Sequence, residues 1–226
     1  MPDRLARAFF ARPVLEVAPE LLGCTVTHAG VTVRLTEVEA YGGSDDPGSH
    51  AFKGQTPRTR VMFGEPGGLY VYFTYGMHWC ANLVCGSAGA ASAVLLRAGE
   101  VVEGLAVART RRGGVPDRDL ARGPARLTMS LALTRDQNGI DSTAADSPLV
   151  LRAVNALGLV PSLGLGTAWG VPDLRVRSGP RVGVSGAGGD AAAYPWRFWL
   201  DGEETVSPYR PGKVRPPKPV AGPGGS

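Results

Sequence analysis

Alternating apolar and polar side chains predict short strands in the first half of the chain. Within residues 31–38, valine and leucine alternate with threonine and arginine, which is the period-2 pattern of a half-buried strand. The β-rich run 24–28 precedes this segment across Ala29 and Gly30, so the two runs together predict a β-hairpin.

A second hairpin is predicted where two aromatic-rich runs, 69–74 and 78–84, flank a turn-forming glycine at Gly76. Further short strands are expected from the apolar runs at 93–96, 182–184 and 196–200.

Helical patterns are fewer and lie between these strands. Residues 14–22, 101–112 and 122–133 predict helices, and two adjacent glycines at 113–114 separate the last two. Because hairpins alternate irregularly with helices and no βαβαβ rhythm occurs, the pattern predicts an α+β fold.

Composition sets the broad class of the protein. The chain has 226 residues, of which 43% are hydrophobic, so it can bury a core and form one domain. No apolar run of about 18 residues occurs, which argues against a membrane-spanning helix. The first twenty residues lack the apolar stretch of a secretory signal, so a cytoplasmic location is expected, with nucleoid association in a bacterium.

The charged residues and cysteines limit which kinds of binding site and cross-link are expected. Arginine supplies 21 of the 24 basic residues, which suits contacts to phosphate and to DNA minor grooves. A GC-rich genome would give the same bias toward arginine. Three cysteines without a CxxC pair and three scattered histidines argue against a disulfide scaffold and a metal site.

Glu37 and Glu39 are the first candidates for catalysis. They lie two residues apart, so a strand places both on the face that carries its apolar side chains. A carboxylate on such a face is typical of a tuned catalytic base. The alternative is that the strand frays here and water solvates both glutamates.

Aromatic and cationic residues give further candidates. Tyr75 lies at the predicted hairpin turn, where an aromatic ring gains nothing from a core and could wedge into DNA. Asn82 and Arg97 are polar residues within apolar runs. Arg58 and Arg60 could contact phosphate or could be ordinary solvated surface charges.

Six segments together resemble one family of DNA repair enzymes. In chain order they are TEVEAY, GSHA, TPRTRVMFGEPGGLYVYFTYGMHWCANLV, AVLLRAGE, RGPARLTMSLAL and RVGVSGAG. This ordered set resembles the alkyladenine (3-methyladenine) DNA glycosylases, and the resemblance covers about residues 11–200. The resemblance implies one compact domain over residues 11–207, with a curved, mostly antiparallel sheet, flanking helices and a β-hairpin that protrudes into the minor groove.

Further expectations concern what surrounds that domain and what binds it. Outside it, the basic N-terminal composition and the Pro/Gly content of the C-terminus themselves predict a flexible lead-in over residues 1–10 and a disordered tail over 208–226. From the resemblance, the expected partner is duplex DNA with damaged purines, and the family works as a monomer without cofactor, metal or membrane.

Site residues follow from the same motifs. Glu39 matches the general base of the family, and Arg97 and the backbone of Val182 match the groups that hold the attacking water with it. The base pocket is expected to be lined by Tyr41, His50, Tyr72 and Asn82.

On the DNA side, Tyr75 matches the wedge that replaces the extruded nucleotide. Met77, His78, Arg58 and Arg60 are expected to contact DNA around it. His78 stands where mammalian relatives carry tyrosine.

The implied activity is hydrolysis of the N-glycosidic bond of an alkylated or otherwise damaged purine flipped out of duplex DNA. Two alternatives remain from the residues alone. One is a non-catalytic minor-groove module that binds damaged DNA, and the presence of Glu39 disfavours it. The other is an enzyme acting on free nucleosides, for which Tyr75 and the many arginines would have no task.

Overall fold

A computed structural model describes residues 4–74, 76–153 and 176–212. Within these residues, four α-helices and eight strands form the framework. The helices are α1 (Arg7–Phe10), α2 (Val14–Glu20), α3 (Leu105–Arg112) and α4 (Pro124–Ser130). The strands are β1 (Thr25–His28), β2 (Val31–Tyr41), β3 (Leu69–Thr74), β4 (His78–Cys85), β5 (Ser92–Glu103), β6 (Val150–Arg152), β7 (Val176–Gly179) and β8 (Arg197–Leu200).

The eight strands form one open sheet whose pairs are all antiparallel, in the order β3-β4-β5-β2-β1-β6. Strand β8 pairs with β2 at residues 37–39, beyond the point where β1 ends, and β7 pairs with β8. The predicted α+β class with a mostly antiparallel sheet is therefore confirmed.

Strand β2 lies in the middle of this sheet and positions the site. It pairs with β5 along nearly its whole length, with register shifts around Glu37 that mark bulges. Glu39 lies opposite Leu95 of β5 on one side and Arg197 of β8 on the other. A carboxylate at this position is flanked by backbone on both sides and cannot reach bulk water along the sheet.

The core packs helices against the sheet. Helix α2 packs on β2 and β5, and α4 packs on β4 and β5. Fully buried leucines at positions such as Leu21, Leu35, Leu96 and Leu127 join these elements into one apolar cluster. None of the helices in the described residues is long and apolar enough to cross a bilayer.

The described part of the N-terminal segment packs on the core. Residues 7–10 form α1, Phe10 is fully buried, and the Leu5 amide donates to the Leu151 carbonyl at 2.9 Å. The physical reason is that the apolar residues of this segment gain more from joining the core than from solvation. At the other end, the Gly183 amide donates to the Arg210 carbonyl at 2.8 Å, and residues 213–226 lie outside the described residues.

Two predicted elements have other bounds or another form. The predicted helix 101–112 is wrong at its start, because β5 continues to Glu103 and only Leu105–Arg112 is helical. Gly104 between them has φ 75°, and a Cβ there would lie 2.0 Å from the Gly30 carbonyl oxygen, so the chain turns at that point. The predicted strand 182–184 is instead a turn, with Gly183 at φ 74°.

Candidate functional site

A cavity of about 450 Å³ opens where β2, β3, β4 and β5 meet the turn around residue 182. Its size lies within the usual range of small-molecule pockets. Its walls include all seven residues predicted for catalysis and for the base pocket, namely Glu39, Arg97, Val182, Tyr41, His50, Tyr72 and Asn82.

Glu39 has a buried carboxylate that faces this cavity. The Val182 amide donates to Oε1 at 2.7 Å, and the Tyr41 hydroxyl donates to Oε2 at 2.8 Å. Nη1 of Arg97 lies 3.3 Å from Oε1. A carboxylate accepts about four hydrogen bonds, so these two hydrogen bonds and the ion pair with Arg97 leave acceptor capacity for a further partner.

Glu37 lies two residues earlier on the same strand and has a different environment. Nε of Arg97 and Nε of Arg197 donate to its Oε1 at 2.8 and 2.7 Å. Ser207 adds two bonds, from its hydroxyl to Oε1 at 2.9 Å and from its amide to Oε2 at 2.7 Å. Burial opposes ionisation, but the two arginines and Ser207 outweigh it and lower the pKa of Glu37 below its ordinary value.

The alternative of a frayed strand with solvated glutamates is therefore wrong. Both carboxylates have 0% exposure and lie inside a regular strand. Arg97 links them, since its Nε binds Glu37 while its Nη1 approaches Glu39. The two carboxylates raise the pKa of Arg97 despite its burial, so this residue stays cationic.

Aromatic rings form the opposite part of the cavity. His50 and Tyr72 meet edge to face with centroids 4.5 Å apart, and Tyr70 stacks on Tyr72 at 5.5 Å. Burial and the nearby Glu39 raise the pKa of Tyr41 well above 10, so its hydroxyl stays a donor. Nδ2 of Asn82 donates to the Tyr70 carbonyl at 3.2 Å, which fixes the amide in the wall.

Burial is the main cause that lowers the pKa of His50 below its ordinary 6.5, and the positive charge of Arg58 adds to it. His50 is therefore uncharged at neutral pH. Arg58 itself is exposed, and its Cζ lies 5.4 Å from the centroid of the Tyr72 ring. Arg58 therefore lies beside a ring that lines the cavity.

Comparison with known proteins identifies the family. The model of the methylpurine-DNA glycosylase family matches residues 8–204. A protein of Streptomyces avermitilis is 54% identical over 217 residues, covering 92% of this chain and 94% of its own. Proteins of Frankia casuarinae (52% identical; 90% of this chain and 92% of its own) and Mycobacterium leprae (45%; 85% and 83%) are also similar. All three are named "Putative 3-methyladenine DNA glycosylase".

The chain belongs to the methylpurine-DNA glycosylase family. The resemblance drawn from the six sequence segments is thereby confirmed, as is the prediction of a DNA glycosylase, which is a hydrolase.

The residues predicted to contact DNA are distributed around the cavity of this family member. His78 lines the cavity, and Met77 beside it is 67% exposed, an unusual position for a large apolar side chain. Arg60 is exposed outside the cavity wall. Tyr75, the predicted wedge, lies outside the described residues, so its role stays a prediction.

Sequence reasoning missed a buried ion pair behind the cavity. Arg181 and Asp46 are both fully buried and bind through two hydrogen bonds, of 2.6 and 2.7 Å. They are 135 positions apart, and no local pattern links them. The only signal is that Arg181 directly precedes Val182 in the RVGV segment and that Asp46 lies between Tyr41 and His50.

Proposed function

We propose that this chain is a monofunctional glycosylase that flips an alkylated purine out of duplex DNA and hydrolyses its N-glycosidic bond. The observation that carries this proposal is the environment of Glu39. Its carboxylate is buried, faces the cavity, and receives two hydrogen bonds and the ion pair with Arg97, whereas a carboxylate can accept about four bonds.

The remaining acceptor position suits a water molecule. In the proposed reaction, the water oxygen bonds to C1′ of the deoxyribose and its proton passes to Glu39. The bond from C1′ to the purine nitrogen breaks, and its electron pair neutralises the positive charge of the alkylated base. Arg97 and the Val182 amide hold the carboxylate in place, so the water meets a fixed base.

The aromatic wall suits a cationic base. Uncharged His50, neutral Tyr41 and Tyr72 present ring faces or edges without a competing positive charge of their own. A cation over such rings gains about 0.5–2 kcal/mol per contact. A cationic purine is also a good leaving group, so it needs no strong acid from the protein.

A one-step hydrolysis fits the absence of a lysine from the cavity wall in the described residues. Strand cleavage by a Schiff base would need such an amine. The chain's Lys53 is exposed and outside that wall, which supports a monofunctional enzyme.

The damaged nucleotide would reach the cavity by flipping out of the duplex. A base inside the stack is inaccessible, and its unstacking costs a few kcal/mol. We propose that the turn between β3 and β4 enters the minor groove, with Tyr75 filling the gap and Met77 beside it. Arg58 and Arg60 would contact phosphates on either side.

The test is single-turnover release of base from a duplex with one alkylated purine, compared with a duplex that contains hypoxanthine. Glu39→Gln is expected to lower release by about 10²–10⁴-fold while binding of the damaged duplex is retained. Glu100→Gln, which alters a half-exposed glutamate of β5, is the matched control and should leave release unchanged.

Three results would contradict the proposal. Full turnover by Glu39→Gln would remove Glu39 as the base. Tight binding by the wild-type protein without release from either duplex would indicate a non-catalytic damaged-DNA binder. Cleavage of a free purine nucleoside that duplex DNA does not inhibit would indicate a nucleoside enzyme.

A further inference from the structure

The buried pair of Arg181 and Asp46 connects the segments that build the cavity. The guanidinium group donates to both carboxylate oxygens of Asp46. Its Nη1 also donates to the Ala40 carbonyl at 3.1 Å, and its Nη2 donates to the Gly188 carbonyl at 2.6 Å. This side chain, directly before Val182, therefore joins the end of β2, the loop before His50 and the segment at Gly188.

The loops around Gly48 and Gly188 pack so closely in this region that their backbones touch. A Cβ on Gly188 would lie 2.2 Å from the Gly48 nitrogen, so only glycine allows the two loops this approach. The guanidinium lies over the Tyr41 ring at 4.6 Å, with Tyr194 and Trp196 at 5.3 and 5.4 Å. Arg181 therefore also holds the ring whose hydroxyl binds Glu39.

Stability alone does not account for this arrangement. A buried ion pair loses hydration that its attraction barely restores, so apolar residues of similar volume often serve stability as well or better. Nε of Arg181 is buried and has no hydrogen-bond partner in the described residues, which adds to that cost. What the pair supplies, and apolar side chains could not, is directional contact with three segments at once.

We propose that Arg181 and Asp46 are positioning residues for the glycosylase reaction. The pair keeps the Val182 amide and the Tyr41 hydroxyl aimed at the two oxygens of Glu39, and so fixes the base against the water. This inference rests on the proposed function of Glu39, and neither residue of the pair touches the substrate.

The experiment compares variants of the pair in the full-length chain. Asp46→Asn keeps the shape but replaces one acceptor by a donor. Arg181→Met removes all four bonds, and Arg181→Lys keeps a charge that cannot reach three partners at once. Gly48→Ala keeps both charges, but its Cβ would lie 2.7 Å from Nη2 of Arg181 and displace it.

The matched control is Asp201→Asn, which breaks the exposed pair between Arg177 of β7 and Asp201, the residue that follows β8. For each variant, the single-turnover rate constant is measured on the alkylated duplex at saturating enzyme. This constant does not depend on the fraction of folded protein. Affinity is measured with a duplex that contains a stable abasic-site analogue.

Asp46→Asn and Arg181→Met are expected to release base about 10²-fold more slowly, because a carboxylate displaced by about 1 Å no longer meets the water. Arg181→Lys should be intermediate, and Gly48→Ala should lose rate without loss of charge. Affinity for the abasic analogue should stay at the wild-type value in all of them, and Asp201→Asn should match wild type in both measurements.

Rate constants equal to that of Asp201→Asn in all the pair variants would overturn the inference, even if their melting temperatures fall. A loss of affinity in parallel with rate would also overturn it, because the pair would then act on DNA binding. Failure of the proposed function gives a different result, since the wild-type protein would then release no base.

Discussion

Two glutamates of one strand are equally buried but have different surroundings. Glu37 and Glu39 are two residues apart on β2, both have 0% exposure, and both contact Arg97. Glu37 receives four hydrogen bonds from side chains and backbone around it, and it does not line the cavity. Glu39 receives two hydrogen bonds and forms an ion pair with Arg97, and it does line the cavity.

This difference fits the proposal that Glu37 is structural and Glu39 is the base of the reaction. A carboxylate whose acceptor positions are all filled can hold its neighbours but has no position for a water proton. A carboxylate with one open position beside a cavity can accept that proton. Glu37 holds the guanidinium of Arg97 in place, and Arg97 in turn helps to hold the carboxylate of Glu39.

Among variants that test the difference between Glu37 and Glu39, the largest expected effect is on the free energy of unfolding. Glu37→Gln leaves Arg97 and Arg197 buried without their shared counter-charge, which should cost about 3–5 kcal/mol in the free energy of unfolding. Denaturant unfolding measures the loss. Glu39→Gln should cost less, because it keeps the salt bridge between Arg97 and Glu37; an equal loss in both variants would contradict the distinction.

How much of this site the sequence predicts depends on how far apart along the chain the interacting residues lie. Alternation along β2 is local, so it predicts the strand and the shared face of the two glutamates. It cannot distinguish Glu37 from Glu39, because the partners that do so are Arg197, Ser207 and Val182, which lie 143 to 170 positions away. Only the family motif singles out Glu39, as the predicted base.

The loops show the same limit. The sequence around residue 182 predicts an apolar strand, but the segment is a turn. The Val182 amide of this turn donates to the Glu39 carboxylate. The buried pair of Arg181 and Asp46 has no periodic signature at all. Side-chain periodicity reports which face of an element is buried, whereas these contacts depend on how distant loops meet.

The next largest effect is expected in the pH dependence of the unfolding free energy. The pKa of Glu37 is lowered in the folded protein from an ordinary value of 4.5, so its ionised form stabilises the fold above that pH. This contribution is lost as the pH falls below 4.5 through the lower, folded-state pKa. Unfolding free energies measured from pH 7 to pH 3 should therefore fall more steeply for wild type than for Glu37→Gln. Parallel curves for the two proteins would refute the role assigned to Glu37.

A smaller effect is expected when Glu37 loses one of its four donors. Ser207→Ala removes the hydroxyl that donates to Oε1 but keeps the backbone amide that donates to Oε2. A hydrogen bond to a charged group contributes about 1.5–3 kcal/mol, and this loss should appear in denaturant unfolding. The release rate constant should not change, since Glu39 keeps all its donors. A large fall in that rate would mean that the two carboxylates are not separate in function.

The smallest effect is expected from Tyr41→Phe, which removes one donor from Glu39 in the same way. The ring keeps its place beside Arg181, but Oε2 loses the hydroxyl at 2.8 Å. The single-turnover release rate should fall by about tenfold, the equivalent of about 1.5 kcal/mol for a bond to a charged group. Affinity for abasic-site DNA is the control and should be retained. If Tyr41→Phe kept the full rate, Tyr41 would serve only as a wall of the cavity, and Glu39 would be held by Arg97 and Val182 alone.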